Sequence, residues 1–320
     1  MEAVANPRVA KRYEIVTQEK SGGATYTPKI LADFVARQIV EAARELPSER
    51  PLRILDPAVG HGELLISLLE QLTAHGYTAF DISGFETDEN ANELASARIR
   101  PHFPIVTINF QSRNFLEFVL ENFAPSGTGN LFASASDPYD LIIANPPYVR
   151  TQIMGARQAQ LLAEQFGLSG RVDLYYAFIL GMAQVLKPKG IAGIIVSNRF
   201  ITTKSGAAVR HAFLERFNVQ HVWDLGDTKL FDAAVLPAIL VVEGKNGHAA
   251  TVPTFTSIYQ TSAAAQYEVA IPRESKGHSS RALIDACKPY ERRNDFPPIA
   301  ESSEELKTSI REKWRTDIFG

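Results

Sequence analysis

Residues 54–63 read Ile-Leu-Asp-Pro-Ala-Val-Gly-His-Gly-Glu. The pattern predicts an apolar strand that ends at Asp56, then a turn with two glycines, then a helix that begins near Glu63. Glycines let the backbone approach a ligand closely, and a helix N-terminus presents free N–H groups with the positive end of the helix dipole. The stretch therefore indicates a strand–turn–helix unit of an α/β sheet with a ligand at the turn. A tight turn without a ligand is the alternative.

Short strands and helices alternate along the chain around this unit. Strands are predicted at residues 53–55, 79–85, 104–110, 139–144, 191–197, 219–225 and 236–243, and helices at 63–74, 89–100, 174–186 and 207–217. A further helix is predicted from Pro28, with Thr27 as its cap. This alternation predicts a doubly wound, mostly parallel seven-stranded sheet with helices on both faces. Only residues 226–235 separate the last two strands, which predicts an antiparallel pair at one edge.

The composition is that of an ordinary folded protein. The chain has 320 residues, a formal net charge of −3, 45% hydrophobic residues and 22% charged residues, which argues against disorder, collagen and coiled coil. Its apolar runs are too short to span a bilayer, and its first residues predict no secretory leader. The single cysteine, Cys287, can form neither an internal disulfide nor a multi-thiolate metal site. These features predict a cytoplasmic protein without a membrane contact, in which any nucleic acid meets a local basic surface.

The same reading divides the chain into three parts. Residues 1–23 are mixed polar and are expected to be a flexible segment. Residues 24–248 carry the alternating pattern and are expected to form the main domain. Residues 249–320, rich in serine, proline and charge, are expected to form a polar extension, too short for a second full domain.

Two acidic residues, Asp56 and Glu86, indicate which kind of ligand the glycine turn would bind. Gly60 and Gly62 lack the third glycine of a dinucleotide site, and Asp56 would repel a phosphate. A ligand with a cationic amine and a carboxylate, such as the methionine part of S-adenosylmethionine, fits better. Glu86 follows the next strand, where a carboxylate can accept both ribose hydroxyls of an adenosine, although a solvated loop carboxylate is equally common there. Asp88 is predicted to cap the helix that follows.

Polar and aromatic residues follow two further strands. Asn114 and Phe115 could bond and stack on adenine, or could form a turn with a core aromatic. Residues 145–148 read Asn-Pro-Pro-Tyr, and two successive prolines impose a rigid, extended turn. The side-chain carbonyl of Asn145 and the backbone carbonyl of Pro146 can then accept hydrogen bonds from one amino group, with the flat ring of Tyr148 beside them. This arrangement predicts activation of an amine for attack on a sulfonium methyl group.

On these motifs and their order, residues 24–244 resemble the gamma class of DNA amino-methyltransferases, the adenine-N6 modification enzymes of restriction–modification systems. The resemblance implies S-adenosylmethionine as methyl donor, no metal, and an adenine flipped out of double-stranded DNA. It implies catalysis by Asn145, Pro146 and Tyr148, with Phe231 on the far face of the flipped base. The implied cofactor contacts are Thr27, Asp56, Ala58, Gly60, Gly62, Glu86, Asn114, Phe115, Pro147 and Phe178. Members of the class usually carry aspartate where this chain has Asn114.

The resemblance leaves several points open. Such enzymes usually carry a separate target-recognition domain, so a specificity subunit or a longer chain is expected to supply recognition and a nuclease. Near the catalytic mouth, Arg171, Arg199, Lys204 and Arg210 could bind phosphates, or could be solvated surface charges. The alternative activities are N4-cytosine methylation of DNA and glutamine N5-methylation of a protein release factor. A catalytically silent DNA-binding or scaffold subunit is the non-enzyme alternative.

Overall fold

The computed structural model describes residues 27–123, 138–147, 174–202, 206–225, 236–245 and 253–257. The helices in these ranges are α1 (Lys29–Ala42), α2 (Glu63–Ala74), α3 (Glu89–Ile99), α4 (Phe115–Phe123), α5 (Leu174–Val185), α6 (Arg199–Thr202) and α7 (Ala207–Arg216). The strands are β1 (Leu52–Asp56), β2 (Phe80–Phe85), β3 (Val106–Gln111), β4 (Tyr139–Ala144), β5 (Leu186–Ser197), β6 (Phe217–Asp224), β7 (Pro237–Gly244) and β8 (Thr254–Ser257). Among these helices, none has both the length and the apolar character that crossing a membrane requires.

The strands form one sheet in the order β3-β2-β1-β4-β5-β7-β6-β8. Strands β1 to β5 run parallel to one another. β7 lies antiparallel between β5 and β6, and β8 pairs with β6 in parallel. The predicted mostly parallel sheet is confirmed, and so is the antiparallel pairing of the strands at residues 217–224 and 237–244.

Both faces of the sheet are covered, as in other doubly wound folds. One core cluster joins α4, α5 and α7 to the sheet through side chains such as Phe115, Phe178 and Phe213. The other joins α1, α2 and α3 through side chains such as Phe34, Leu65 and Ile99. From Leu141 to Ala144, successive β4 residues alternate between the clusters and are buried, which explains why these four residues are a continuous apolar run.

Four local features differ from the sequence predictions. The sheet has eight strands rather than the predicted seven. The eighth, β8, is short and half-exposed, so its sequence lacks the apolar pattern from which a strand is predicted. β5 begins at Leu186 and α5 ends at Val185, since Pro188 cannot continue a helix. α4 was not predicted. The predicted cap at Thr27 is wrong, because Pro28 occupies the N-cap position of α1 and no side chain caps its first turn.

The strand order creates a switch point between β1 and β4. From β1 the chain builds outward through β2 to β3, whereas β4 leads to β5 on the other side. In open α/β sheets, ligands bind in the crevice outside the carboxyl ends of the strands at such a point. Here Asp56 ends β1 and Asn145 directly follows β4, so two predicted site residues lie at that crevice.

The opposite end of β4 is held by a buried ionic cluster. The Asp140 carboxylate accepts two hydrogen bonds of 2.7 Å from the Arg50 guanidinium, one of 2.8 Å from Lys187 Nζ and one of 2.9 Å from the Arg53 backbone N–H. Burial alone would raise the pKa of Asp140, but these donors outweigh it and hold the pKa below its usual range. The cluster fixes β4 against β1 and β5, and therefore fixes the position from which Asn145 emerges.

Candidate active site

A cavity of about 120 Å³ lies at the carboxyl ends of the parallel strands, beside the switch point. Its walls come from one residue before α1, the turn after β1, the first turn of α2, one residue of α3 and the residue after β4. The lining residues are Thr27, Ala58, Val59, Gly60, His61, Glu63, Leu64, Arg98 and Asn145. The structure thus brings four predicted site residues, Thr27, Ala58, Gly60 and Asn145, around one cavity.

The turn after β1 needs both of its glycines. Gly60 has φ +51° and Gly62 has φ +78°, the left-handed region that L side chains rarely adopt. The Gly62 N–H donates to the Val59 carbonyl at 2.9 Å, which closes the turn, and Gly62 is the N-cap of α2. A Cβ on Gly60 would meet no atom within 4 Å, whereas a Cβ on Gly62 would lie 3.0 Å from Ala95 Cβ on α3. Gly60 therefore faces open space and Gly62 faces packed helix.

This difference predicts unequal stability losses for two alanine variants. Gly60→Ala is expected to cost about 1 kcal/mol of unfolding free energy, from the left-handed backbone alone. Gly62→Ala is expected to cost about 1 kcal/mol more, because α3 must also move away from the new methyl group. Urea unfolding followed by circular dichroism measures both. Equal losses in the two variants would contradict the packing of α3 against this turn.

Asp56 is a buried carboxylate with one oxygen engaged. It is fully buried, and its Oδ1 accepts a 2.9 Å hydrogen bond from the Ala58 backbone N–H. Its Oδ2 is buried and has no hydrogen-bond partner among the described residues. Burial raises the pKa of Asp56 to about 7; the Ala58 hydrogen bond opposes this rise and repulsion from Glu86 adds to it. Such a carboxylate gains most from a cationic ligand that reaches its second oxygen.

Glu86 fastens the glycine turn to the end of β2. One carboxylate oxygen, Oε2, accepts from the Gly60 N–H at 3.0 Å, and Oε1 accepts from the backbone N–H groups of Thr87 and Asp88 at 2.7 and 3.1 Å. The Thr87 hydroxyl also donates to Oε1, at 3.3 Å, so the acceptor position that remains for a ligand hydroxyl is on Oε2. The predicted cap at Asp88 is confirmed, since its side chain accepts from the Asn90 N–H in the first turn of α3.

Asn145 and the two prolines extend from the buried end of β4. Asn145 is half-buried and Pro146 is buried, and Pro147 is partly exposed. The Asn145 side-chain Nδ2 donates a 3.0 Å hydrogen bond to the hydroxyl of Thr27. This contact ties the proline turn after β4 to the residue that precedes α1. Tyr148, the fourth residue of the motif, lies outside the described residues.

The predicted adenine contacts lie in or near the core rather than on the cavity. Phe115 is fully buried and its ring lies 5.6 Å from that of Phe178, which is 3% exposed. Asn114 caps α4, because its Oδ1 accepts from the Leu116 N–H at 2.9 Å. A cavity near the glycine turn and an aromatic core under the ends of β2 and β3 are therefore separate features of the described residues.

The phosphate-binding predictions are mostly untested and are wrong at one position. Arg171, Lys204 and Phe231 lie outside the described residues, and Arg199 begins α6. Arg210 is buried, and its guanidinium donates to the Phe200 carbonyl at 2.6 Å. This arginine holds α6 against α7 and cannot reach a phosphate from there.

Arg98 is a site residue that the sequence did not indicate. Its guanidinium donates to the His61 carbonyl at 2.6 Å and to the Glu63 carboxylate at 2.5 Å. It therefore clamps α3 onto the glycine turn while it lines the cavity. A single arginine on a polar helix face forms no sequence motif, so its place in the site can be recognised only from its tertiary contacts. The described residues contain no group of three or more metal-binding side chains.

Comparisons with known proteins relate this chain to methyltransferases. Residues 74–231 match the family model described as Eco57I restriction-modification methylase. Type II methyltransferase M.BanIII of Aneurinibacillus aneurinilyticus is 38% identical over 271 residues, which are 82% of this chain and 46% of that protein. The chain thus spans less than half the length of this relative. These two matches support a methyltransferase of the restriction–modification type.

Two further matches concern the fold and an alternative substrate. A crystal structure from Listeria monocytogenes, assigned to the class I S-adenosylmethionine-dependent methyltransferases, has a TM-score of 0.56 at 20% identity and covers 72% of this chain and 65% of that chain. The fold is that of this class. A release factor glutamine methyltransferase of Geobacter sulfurreducens is 27% identical over 226 residues, which are 67% of this chain and 71% of that protein.

Proposed function

We propose that this chain transfers a methyl group from S-adenosylmethionine to the N6 amino group of an adenine in double-stranded DNA. It would act as the modification enzyme of a restriction–modification or related defence system. The observation that carries the proposal is the position of Asn145 and Pro146, which adjoin the cavity of the glycine turn at the switch point of the sheet. The site for the amine that accepts the methyl group and the site for the methyl donor would therefore lie in one crevice.

The residues that line the cavity, together with Asp56, which accepts a hydrogen bond from the lining residue Ala58, suit the amino-acid end of S-adenosylmethionine. The unpartnered Oδ2 of Asp56 is a fitting acceptor for its ammonium group, and the N-terminus of α2 is a fitting neighbour for its carboxylate. The open space at Gly60 lets a ligand lie against the backbone. Because ligand pockets usually measure about 300–1,000 Å³, a cavity of about 120 Å³ would hold one end of the ligand.

The adenosine half would then extend along the carboxyl ends of β2 and β3. Glu86 would accept a ribose hydroxyl with the remaining acceptor position of Oε2. We propose that Asn114, Phe115 and Phe178 contact the adenine of the cofactor. Pro147 is a proposed contact near the methyl group. Thr27, Ala58 and Gly62 complete the proposed cofactor contacts.

Asn145 and Pro146 would activate the target amine without a carboxylate base. An exocyclic amine of adenine is a poor nucleophile, because its lone pair is delocalised into the ring. Two carbonyl oxygens that accept its hydrogens favour a pyramidal nitrogen and hold it within attack distance. When bound, S-adenosylmethionine supplies a sulfonium methyl: the nitrogen–carbon bond forms, the carbon–sulfur bond breaks, S-adenosylhomocysteine is left and the nitrogen loses one proton to solvent.

The adenine must leave the DNA stack to reach this turn. Flipping a base costs a few kcal/mol. Stacking on an aromatic side chain returns about 1–3 kcal/mol per base, and we propose Tyr148 and Phe231 as the two stacking partners. Because the aligned region is only 46% of the type II relative, we further propose that a specificity subunit or a longer chain supplies target recognition and a nuclease. Modification of host DNA would take place in the cytoplasm, which is the proposed location of the protein.

Identification of the methylated nucleoside tests this proposal. The full chain is incubated with methyl-labelled S-adenosylmethionine and genomic DNA from a strain without DNA methylation, and the DNA is digested to nucleosides. We expect the label in N6-methyladenine. Label in N4-methylcytosine would overturn the choice of base, and cofactor binding without any labelled DNA or protein would favour a silent scaffold subunit.

Glutamine methylation of a release factor is the second candidate, and the relative from Geobacter sulfurreducens favours it. A glutamine side chain also presents an amide nitrogen that two carbonyl acceptors can grip. The segment before Pro28 and the Phe231 segment, which suit a flipped base, argue for DNA instead. A parallel reaction with purified release factor in place of DNA separates the two, since label on the protein alone would overturn the DNA assignment.

A further inference from the structure

We propose that the hydroxyl of Thr27 is a positioning residue that sets the orientation of the Asn145 carboxamide, so that the carboxamide oxygen faces the substrate amine. This inference rests on the proposed methyl transfer to an amine. It gives Thr27 a function besides the cofactor contact that the resemblance implies.

The contact joins two parts of the chain that are far apart in sequence. Asn145 Nδ2 donates to Thr27 Oγ1 at 3.0 Å across 118 residues. Both side chains line the same cavity. The bond therefore lies between the proposed methyl-donor site and the proposed amine site, where the orientation of one carboxamide matters to the reaction.

Thr27 is held by a rigid base. Pro28 follows it in an extended conformation and begins α1. α1 is docked tightly on β5, since a Cβ on Gly193 would lie 2.7 Å from Ile39 and 2.8 Å from Val35. The neighbouring strand β4 pairs with β5 through the same residue, because Ile143 is opposite Gly193. The hydroxyl and the carboxamide are thus attached to elements that cannot shift independently.

The chemistry explains why the orientation needs to be set. The terminal torsion of asparagine is roughly two-fold, so the oxygen and the nitrogen can exchange places at little cost. Only the orientation with the oxygen toward the substrate accepts a hydrogen from the amine, whereas the reverse places two donors against each other. A hydroxyl that accepts from Nδ2 stabilises the productive orientation and leaves its own proton for another acceptor.

Kinetics of three variants test the inference. Thr27→Val keeps the shape of the side chain but removes the acceptor, and we expect kcat to fall about tenfold. Thr27→Ser restores the hydroxyl and is expected to keep most of the turnover. Thr107→Val, a matched change on the exposed edge strand β3, is the control and is expected to have no effect. In the Asn145→Ala background, Thr27→Val is expected to cause no further loss, since its target is gone.

Two results would overturn the inference. One is a rise in the cofactor KM for Thr27→Val with kcat unchanged, which assigns Thr27 to cofactor contact alone. The other is a loss in Thr27→Val that adds fully to that of Asn145→Ala. If wild-type protein methylates no DNA, the proposed function fails, whereas a wild-type enzyme that is active and insensitive to Thr27→Val rejects only the positioning function.

A measurement without turnover tests the same bond. The side-chain amide signal of Asn145 in ¹⁵N-labelled protein is identified by its loss in Asn145→Ala. In wild type we expect one of its protons to be shifted downfield and to exchange slowly with water, and in Thr27→Val we expect both properties to disappear. An amide signal that is identical in the two proteins would overturn the inference whatever the activity.

Discussion

Asn145→Ala is expected to lower methyl-transfer turnover by about 10²–10³-fold, the range found when one preorganised hydrogen-bonding group is removed from a reaction centre. The alanine leaves the Pro146 carbonyl as the only acceptor of the proposed pair. The amine would then keep its planar, delocalised geometry and would no longer be held facing the methyl group. Turnover on unmethylated genomic DNA under saturating cofactor measures the loss.

Cofactor affinity separates a catalytic loss from a structural one. Asn145 is half-buried at the end of a strand whose own residues are all buried, so its truncation should leave the sheet intact. We expect the dissociation constant for S-adenosylmethionine, measured by calorimetry, to change little. Asn109→Ala, an exposed position on edge strand β3, is the matched control. Retained turnover in Asn145→Ala, or an equal loss in Asn109→Ala, would contradict the catalytic assignment.

The accuracy of the fold prediction depended on how strongly each segment was buried. β4 and α2 were predicted with their observed bounds, because both have many buried apolar residues between clear turn residues. β8 escaped prediction because a short edge strand needs little apolar sequence. α4 was not predicted, because an asparagine followed by a phenylalanine is compatible with a ligand contact or a turn as well as with the helix cap and core aromatic that the structure shows.

The cavity residues divide in the same way. Gly60 and Asn145 were predicted because local sequence indicates them. A left-handed turn requires glycine, and two successive prolines cannot continue a central strand, so the strand must end next to Asn145. The hydrogen bond from Asn145 to Thr27 and the clamp from Arg98 to His61 were not predictable, because each joins segments that only the sheet order brings together. Both of these contacts hold residues that line the cavity.

Asp56→Asn is expected to change cofactor affinity and stability in opposite directions. Removing one member of a desolvated charge pair costs about 2–5 kcal/mol of binding, so the dissociation constant for S-adenosylmethionine should rise about 30-fold or more. The apoprotein should become more stable above pH 7 by about 1–3 kcal/mol, because a buried, partly unsatisfied charge is replaced by a neutral amide. Calorimetric titration and urea unfolding measure the two effects.

The pH dependence follows from the raised pKa of Asp56, about 7 in the folded protein against an ordinary value of 3.8. A carboxyl group that binds its proton more tightly when folded lowers stability as the pH rises from about 4 to about 7, and the loss is complete above that range. The stability advantage of Asp56→Asn should therefore shrink toward pH 4. The ammonium group of the ligand needs the ionised carboxylate, so wild-type affinity should weaken by up to about tenfold per pH unit below pH 7.

Asp81→Asn provides the matched control, since Asp81 lies on the adjacent strand β2 in a partly exposed ion pair with Arg53. Removing it should change stability by less than about 1 kcal/mol and should leave cofactor affinity and its pH dependence as in wild type. In Asp56→Asn the dependence between pH 6 and pH 8 should be absent. If Asp56→Asn binds S-adenosylmethionine as tightly as wild type, the second oxygen of Asp56 does not meet the ammonium group. If it binds weakly but keeps the wild-type pH profile, another titrating group must be responsible for that profile.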